Sequence, residues 1–571
     1  MKVIIVGGVA GGASTAARLR RLDEHAEITI YERSGYMSYA NCGLPYYIGR
    51  VITDKEELTL QTPESFYTRF RVNVKVKHEV VAVNPDKKTV TVKKLETGEE
   101  FEDSYDKLVL APGAKSFKPK VPGIDAENIF TLRNVEDTFK VHDYISAAGV
   151  KSAVVVGGGF AGLEIAENLR HLGLDVTLAE AAPQALSLLD SDMAPQIHAL
   201  LRENGIKLLL GSAIAAFEVE NGKTVSVFEN GEKVASDLVL LALGAAPDTT
   251  LAQSAGLKTG IRGSIVVNDK METSVSDIYA VGDAVEVMHF ITGAQALLPL
   301  AGPANKQGRI AADNIAGSDS RYKGTQGSSV LKLFDMTIAA TGINERQARD
   351  AGIDYEKVIL SPASHASYYP GGRVMTMKVI FERKSERILG AQIVGFDGVD
   401  KRIDVIATAI RAGMKATELA ELELAYSPPY SSAKDPVNMA GFVIENMING
   451  KVKQFYHEDV AALQDNSVFL LDTRTPAEYA RGHAEGFINI PVDSLRERLS
   501  EIPSDKPVYV MCQSGVRSYI ACRILSGYGY GCYNFAGGYR FYSMIEKEER
   551  ISGGSYDCGI DKNAERELVS K

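Results

Sequence analysis

Lys2-Val3-Ile4-Ile5-Val6-Gly7-Gly8-Val9-Ala10-Gly11-Gly12 opens the chain, and Ala153-Val154-Val155-Val156-Gly157-Gly158-Gly159-Phe160-Ala161-Gly162 repeats its pattern further on. Each stretch is an unbroken apolar run, as in a parallel strand buried on both faces, that closes on a glycine-rich turn. Helical spacing follows, over residues 13–22 and 163–172, and a second strand then ends on a carboxylate, Glu32 or Glu180. This is a βαβ unit with the dinucleotide fingerprint. The glycines permit the tight turn and close approach of a pyrophosphate, the helix N-terminus favours its charge, and the acid accepts from ribose hydroxyls. The second copy carries all three glycines, Gly157, Gly159 and Gly162. The first has Val9 at the middle position and is weaker alone. Two copies in one chain point to two dinucleotides, usually one held flavin and one exchangeable nicotinamide.

Further strands close on glycine turns at Leu108-Val109-Leu110-Ala111-Pro112-Gly113, at Leu240-Leu241-Ala242-Leu243-Gly244 and at Ile278-Tyr279-Ala280-Val281-Gly282-Asp283. With the two fingerprints, these motifs resemble the two-dinucleotide flavoproteins of the pyridine nucleotide-disulfide oxidoreductase family. The resemblance implies FAD contacts at Gly7, Gly8, Gly11, Gly12, Glu32, Ala111, Gly113, Gly282 and Asp283, the last accepting from the ribityl chain. It implies NADH (or NADPH) contacts at Gly157, Gly159, Gly162 and Glu180. Glu180 would repel a 2′-phosphate, and residues 181–185 contain no Arg to receive one, which favours NADH. The expected fold is α/β: two Rossmann-like dinucleotide-binding domains, an α+β dimerisation domain and a C-terminal α/β rhodanese domain. The expected boundaries are 1–148 for the first part of the FAD domain, 149–261 for the NAD(P)H domain and 262–320 for the second part of the FAD domain. The dimerisation domain is expected at 321–448, a short polar connector at 449–454, the rhodanese domain at 455–550 and a tail at 551–571.

Length and composition agree with this. A chain of 571 residues has room for about three to five domains. Its 63 Lys+Arg against 73 Asp+Glu, net −10, disfavour non-specific nucleic-acid binding. No apolar run approaches the length of a membrane span, and the N-terminus runs straight into a strand without the features of a secretory signal. A cytoplasmic enzyme without nucleic-acid or membrane partners is expected. The five cysteines, Cys42, Cys512, Cys522, Cys532 and Cys558, form no CxxC pair, so individually reactive thiols fit better than a disulfide framework or a zinc site, and no metal is expected.

Cys42 lies in Ser38-Tyr39-Ala40-Asn41-Cys42-Gly43-Leu44-Pro45-Tyr46. Relatives of the glutathione-reductase type place two cysteines here, spaced C-x4-C. This chain has Tyr47 in the second slot, and its next cysteine is Cys512. One thiol must therefore cycle alone, as a mixed disulfide, a persulfide or a sulfenic acid. The polar flanks Ser38, Asn41 and Gly43 read as loop rather than core, and electropositive surroundings are expected to favour the thiolate. The segment, and residues 1–450 with it, resembles the coenzyme A disulfide reductases and NADH-dependent persulfide reductases. That resemblance implies coenzyme A contacts at Ser14, Arg18, Arg21, Ser38 and Asn41, with Lys434 contributed by the second subunit of a homodimer. Arg18 and Arg21 share a helix face and suit phosphates. A family lysine near residue 70 is not matched, since Phe70 stands there between Arg69 and Arg71. Tyr368 and Tyr426 match family tyrosines and are the candidate proton donors, because the stretch around residues 425–436 has no His.

Residues 455–550 resemble a rhodanese domain. The matching pieces are Asp472-Thr473-Arg474, Gly482-His483-Ala484-Glu485-Gly486-Phe487-Ile488 and, above all, Cys512-Gln513-Ser514-Gly515-Val516-Arg517-Ser518. A strand delivers Cys512 into a loop of inward amides followed by a helix from Ser518, which suits a thiolate or persulfide. Arg517 also fits the C-x5-R spacing of cysteine phosphatases, but the other two pieces favour sulfur transfer. Cys522 and Cys532 read as core and Cys558 as a free thiol of the tail. The function expected is FAD-dependent reduction of coenzyme A persulfide, polysulfide or disulfide by NAD(P)H through Cys42, with Cys512 handling sulfane sulfur. The alternatives are an NADH oxidase or peroxidase cycling Cys42 through sulfenic acid, and a non-enzymatic redox sensor or sulfur carrier.

Overall fold

The computed structural model describes residues 1–147, 149–463 and 467–552. The expected tail lies outside the described residues from 553 onward, and Cys558 with it. The chain divides into two compact units, one of Met1–Ala185 and Leu201–Gly327, the other of Leu186–Leu200 and the chain from Ser328.

The first unit is built on β1 (Lys2–Val6), β2 (Glu27–Glu32), β3 (Asn73–Val76), β4 (Lys107–Leu110), β5 (Ile129–Thr131), β6 (Ser152–Val156), β7 (Asp175–Ala179), β8 (Lys207–Leu209), β9 (Leu238–Leu241) and β10 (Ile278–Ala280). They form two parallel five-stranded sheets, in the orders β10-β4-β1-β2-β3 and β8-β7-β6-β9-β5. Val3, Ile4, Ile5, Val154 and Val155 have no exposed surface, as the apolar runs require. The strand at residues 278–280 returns to the first sheet, so the second sheet's strands fall between its parts in the chain. One boundary moves: β5, which falls inside the expected 1–148 block, pairs with β9 of the second sheet.

α1 (Ala10–Leu22) follows β1, and α2 (Phe160–His171) follows β6. Neither helix has a side-chain cap or an acid in its first turn. Four other helices are capped, by Thr62, Asn344, Asp435 and Thr475. The bare amides of α1 and α2 leave partial positive charge at the carboxyl ends of their sheets. Gly7 (φ +95°) and Gly157 (φ +111°) turn the chain into these helices. A Cβ on Gly7 would stand 2.2 Å from Ala111 O, and one on Gly157 would stand 2.3 Å from Ala242 O, both backbone carbonyls of the neighbouring strand turn.

The second unit has an antiparallel sheet of β11 (Ser329–Leu333), β12 (Met336–Gly342), β13 (Tyr355–Leu360), β14 (Thr376–Glu382) and β15 (Ile388–Gly395), ordered β11-β12-β15-β14-β13 and packed on α3 (Val399–Ala412). A parallel sheet follows, of β16 (Gln454–Phe455), β17 (Phe469–Asp472), β18 (Ile488–Asn489), β19 (Val508–Met511) and β20 (Cys532–Phe535), ordered β16-β20-β19-β17-β18. It is flanked by α4 (Val516–Gly527) and α5 (Gly538–Ser552). The expected polar connector ends inside this sheet: Val452 is buried and Gln454 already pairs with Asn534. Ser361 Oγ donates to Gly537 O and Tyr456 Oη to Lys357 O, at 2.9 and 2.7 Å, so the two sheets of this unit are hydrogen-bonded to each other.

Lys378 of β14 is 1% exposed. Its ammonium meets Asp190 at 3.0 Å, Asp192 at 2.8 Å and Glu345. Burial opposes ionisation of Glu345, but Lys378 and Lys357 hold its carboxyl down to about 2. Replacing Lys378 by Met leaves three buried carboxylates without their shared cation. We expect a loss of about 3–5 kcal/mol in the stability of this unit. Urea unfolding of Lys378→Met beside wild type, followed by fluorescence of the tyrosines, measures it.

Candidate active sites

A cleft of about 960 Å³ in the first unit is lined by Gly7, Gly11, Glu32, Ala111, Gly113, Gly282 and Asp283, seven of the nine residues implied for FAD. The other two stand behind the wall. Gly8 N donates to Glu32 Oε2 at 2.8 Å, and a Cβ on Gly12 would stand 1.9 Å from Gly7 O. Ser34 N also donates to Glu32, which fixes this carboxylate at the end of β2. Val9 replaces the middle glycine without backbone strain, since its φ is −102°. Asp283 accepts from Arg133 Nη2 at 3.0 Å. Arg133, which also donates to Ala114 O, went unnoticed in the sequence because no motif surrounds it.

The second glycine turn has the same build. Gly158 N and Ala182 N donate to Glu180 at 2.6 and 2.8 Å, fixing the acid at the end of β7. A Cβ on Gly162 would stand 1.9 Å from Gly157 O, whereas one on Gly159 would meet nothing within 4 Å. The protein itself does not require glycine at 159. The open space above it, beside the uncapped start of α2, is a cradle that a side chain would fill and a pyrophosphate suits. The residues present therefore fit FAD at the first turn and a nicotinamide dinucleotide at the second.

Cys42 sits in a 3₁₀ turn, Asn41–Gly43, that leads into the short helix Leu44–Ile48. It is exposed in the wall of the first cleft, which no other cysteine lines. Its setting corrects the expectation of electropositive surroundings. Desolvation, followed by the carboxylates of Glu164 and Asp283, pushes the Cys42 thiol up from its ordinary value. Glu164 comes from α2, and burial raises its own carboxyl to about 7, although Tyr46 Oη donates to it at 3.4 Å. Glu164 carried no sequence signal, because it meets Cys42 only through the packing of the short helix 44–48 against α2.

The residues implied for coenzyme A separate. Ser38 and Asn41 line the cleft with Cys42. Ser14 Oγ donates to Asn305 Oδ1 at 2.6 Å, and Arg18 Nε to Asp313 Oδ1 at 2.7 Å. Arg21 is exposed, so the expected matched pair of guanidinium groups is one bound to a carboxylate and one in solvent. Lys434 is exposed in the second unit, just before the helix Pro436–Ile448. In that unit the two candidate tyrosines meet: Tyr368 Oη and Tyr426 Oη lie 2.5 Å apart, both rings being exposed. This hydrogen bond raises the Tyr426 hydroxyl from its ordinary value.

Cys512 follows β19 and has no exposed surface. Gly515 N and Ser518 Oγ donate to its Sγ at 3.1 and 3.2 Å. α4 starts at Val516 rather than at the expected Ser518, because Gly515 (φ +96°) turns the loop directly into the helix. Gln513 and Ser514 are packed from behind by Gly538, where a Cβ would stand 2.5 Å from Ser514 N. Arg474 is ion-paired to Asp472 at 2.7 Å, stacks over the Tyr539 ring at 3.9 Å and reaches Gln513 Oε1 at 3.4 Å. Arg517 binds Glu478 through two 2.7 Å contacts, so its guanidinium is engaged outside the loop, and the phosphatase spacing is not matched by a free arginine. Val516 is exposed at the loop's rim.

Comparison with known proteins gives three family matches: pyridine nucleotide-disulphide oxidoreductase over residues 1–308, its dimerisation domain over 328–436, and a rhodanese-like domain over 457–544. The chain is 39% identical to a coenzyme A disulfide reductase of Staphylococcus aureus over 442 residues, covering 77% of this chain and 99% of the relative. The solved structure of reduced Bacillus anthracis CoADR-RHD superposes with a TM-score of 0.94 at 47% identity, covering 96% of this chain and 98% of the other. A NAD-dependent persulfide reductase from A. fulgidus superposes with a TM-score of 0.90 at 38% identity, over 95% and 100%. Among the described residues no helix is long and apolar enough to cross a membrane.

The acidic neighbour of Cys42 makes a direct prediction. Glu164 ionises near pH 7 and then opposes formation of the thiolate. In Glu164→Gln the pH profile of Cys42 alkylation by iodoacetamide moves to lower pH, as read by mass spectrometry of the Cys42 peptide. An unchanged profile contradicts the coupling.

Proposed function

The chain belongs to the pyridine nucleotide-disulphide oxidoreductase family, and from that premise we propose that it uses NADH to reduce coenzyme A persulfide, polysulfide or coenzyme A disulfide through Cys42 alone. The observation that carries the reading is one exposed thiol, with Ser38 and Asn41, in the wall of the cleft that holds the FAD residues and no second cysteine. When bound, FAD supplies the two-electron relay between nicotinamide and thiol. Cys42 thiolate attacks the sulfur bonded to the coenzyme A sulfur or, in a persulfide, the sulfur carrying coenzyme A. A mixed disulfide forms and thiol or sulfide leaves. Two electrons from NADH then divide the mixed disulfide into Cys42 thiolate and a coenzyme A thiolate. The hydrogen-bonded hydroxyls of Tyr368 and Tyr426 hold the proton that the leaving thiolate takes up. Glu32 and Glu180, each pinned by two backbone amides, present fixed acceptors for ribose hydroxyls.

The enzyme acts as a homodimer in this reading, with Lys434 of one copy serving the coenzyme A of the other. Cys512 carries sulfane sulfur, and the Gly515 amide and Ser518 hydroxyl stabilise the charge on it. The covalently attached sulfur-transfer domain favours persulfide or polysulfide over disulfide as the working substrate, because it supplies the same sulfane sulfur that Cys42 consumes. Coenzyme A, long, flexible and thiol-tipped, is the carrier between them.

Cys42→Ser is expected to retain FAD and to lose NADH-driven turnover of coenzyme A persulfide by roughly 10⁴-fold or more, the scale of removing a nucleophile. Anaerobic NADH oxidation with coenzyme A persulfide, coenzyme A disulfide and inorganic polysulfide in turn tests the reading. Near-wild-type rates in the variant contradict it. NADH should exceed NADPH in kcat/KM by about tenfold or more, since a carboxylate locked to two amides cannot move away from a 2′-phosphate. Steady-state kinetics with both nucleotides checks this.

A further inference from the structure

The sulfur-transfer domain carries two cysteines that the Cys512 loop does not use. Cys522 lies on α4 and is 1% exposed, and Cys532 begins β20 and is half-buried beside it. Sequence alone reads both as core. In the structure they face each other. Cys532 Sγ donates to Cys522 O at 3.1 Å, and Ser526 Oγ lies 3.2 Å from Cys532 Sγ. The neighbouring Cys522 side chain, with help from Ser526 and Arg523 and against desolvation, brings the Cys532 thiol down to about 6. Cys522 is pushed well up by its neighbour Cys532 and by burial. Cys532 is the accessible member of the pair and Cys522 the enclosed one, the arrangement of an attacking and a resolving cysteine.

We propose that Cys522 and Cys532 form a second sulfur-accepting site, at which Cys532 takes sulfane sulfur from a small persulfide or polysulfide and Cys522 resolves it to an intramolecular disulfide. The Cys532 thiolate attacks the outer sulfur of R–S–SH. The R–S bond to that sulfur breaks, R–S⁻ leaves, and Cys532–S–SH is formed. Cys522–SH then attacks the inner sulfur of Cys532–S–SH. The Cys522–Cys532 bond forms, and the outer sulfur departs as HS⁻, which takes the Cys522 proton to give H₂S. Two electrons pass from the two thiols to one sulfane sulfur, so no further oxidant is needed.

The link would join the two elements that hold the Cys512 loop. α4 starts at that loop, through Gly515. β20 runs into Gly537 and Gly538, and Tyr539 N, directly after them, donates to Cys512 O at 2.7 Å. A covalent bond between α4 and β20 therefore constrains both sides of the loop, and slows sulfur transfer when sulfane sulfur is in excess. The inference rests on the sulfur-transfer reading of Cys512 only for this consequence. The cross-link itself needs nothing but the pair and a sulfane donor.

The test treats the full chain with inorganic polysulfide without oxygen, blocks free thiols with iodoacetamide and digests with trypsin without reduction. Arg517, Arg523 and Arg540 place Cys512, Cys522 and Cys532 on three separate peptides, the last two being residues 518–523 and 524–540. Expected is a species joining residues 518–523 to 524–540, two hydrogens lighter than their sum. Thiosulfate-to-cyanide transfer should fall by about fivefold or more and return with dithiothreitol. Cys532→Ala and Cys522→Ala should form no such species and keep their transfer activity under the same treatment. Cys512→Ser, which tests the sulfur-transfer reading separately, should still form the linked species. Recovery of both wild-type cysteines as alkylated thiols overturns the proposal, as does an equal loss of transfer activity in Cys532→Ala.

Discussion

A parallel strand that hands the chain to a helix with no cap is the constraint on which the rest depends. It occurs after β1, after β6 and after β19. After β1 and β6 the first amides of the helix are left for something other than the chain's own side chains, and after β19 the Gly515 amide turns to Cys512 Sγ. The turns that make this possible exclude a Cβ: Gly7 and Gly157 have left-handed φ, and each lies against the carbonyl of a neighbouring strand. Once those turns are set, the acid at the end of the next strand is also set, because Glu32 and Glu180 each take the amide of Gly8 or Gly158. Partial positive charge and a fixed negative acceptor thus stand at one sheet end, the pattern that a dinucleotide satisfies.

The two working sulfurs meet opposite electrostatic conditions. Cys512 is buried, but an amide and a hydroxyl point at it and a helix begins beneath it, so the protein supplies the stabilisation of negative charge. Cys42 is exposed, yet no hydrogen-bond donor reaches its sulfur among the described residues, and Glu164 and Asp283 oppose its ionisation. A thiol in that position is less ionised than a free cysteine. The difference matches the proposed roles, since a carrier must hold an anionic persulfide, whereas a redox thiol must be reactive only in the loaded site.

Coupling inside the second unit comes from charge placed where water is absent. Lys378 gathers Asp190, Asp192 and Glu345, and Lys357 extends the chain of charges to Glu458 at 2.6 Å. These residues belong to a segment before residue 200, to the antiparallel sheet, to the short helix Glu345–Asp350 between its strands and to the start of the sulfur-transfer domain. Its buried part, Lys378, Lys357, Asp190, Asp192 and Glu345, is stable only complete, because each unpaired member would remain a buried charge.

The sequence alone settled what short-range rules decide. Unbroken apolar runs, glycine turns and terminal acids made both dinucleotide units legible, and Asp472, Arg474 and the Cys512 loop marked the third α/β domain, because strand, turn and helix follow each other within a few residues. Cys42 stood out for the same reason, as a cysteine in a polar loop with no partner in its second slot. What only the tertiary structure decided lies between residues far apart in the chain. The strand at 129–131 joins the second sheet through β9. Arg133 finds Asp283, Glu164 finds the surroundings of Cys42, Asp313 takes Arg18, and Tyr368 meets Tyr426. Cys522 and Cys532, apolar by composition, become a polar pair only because α4 packs on β20. Local pattern reflects backbone sterics and burial, which act over neighbouring residues. Charge, hydrogen bonding and thiol reactivity depend on distances in space, and those exist only once the sheets have closed.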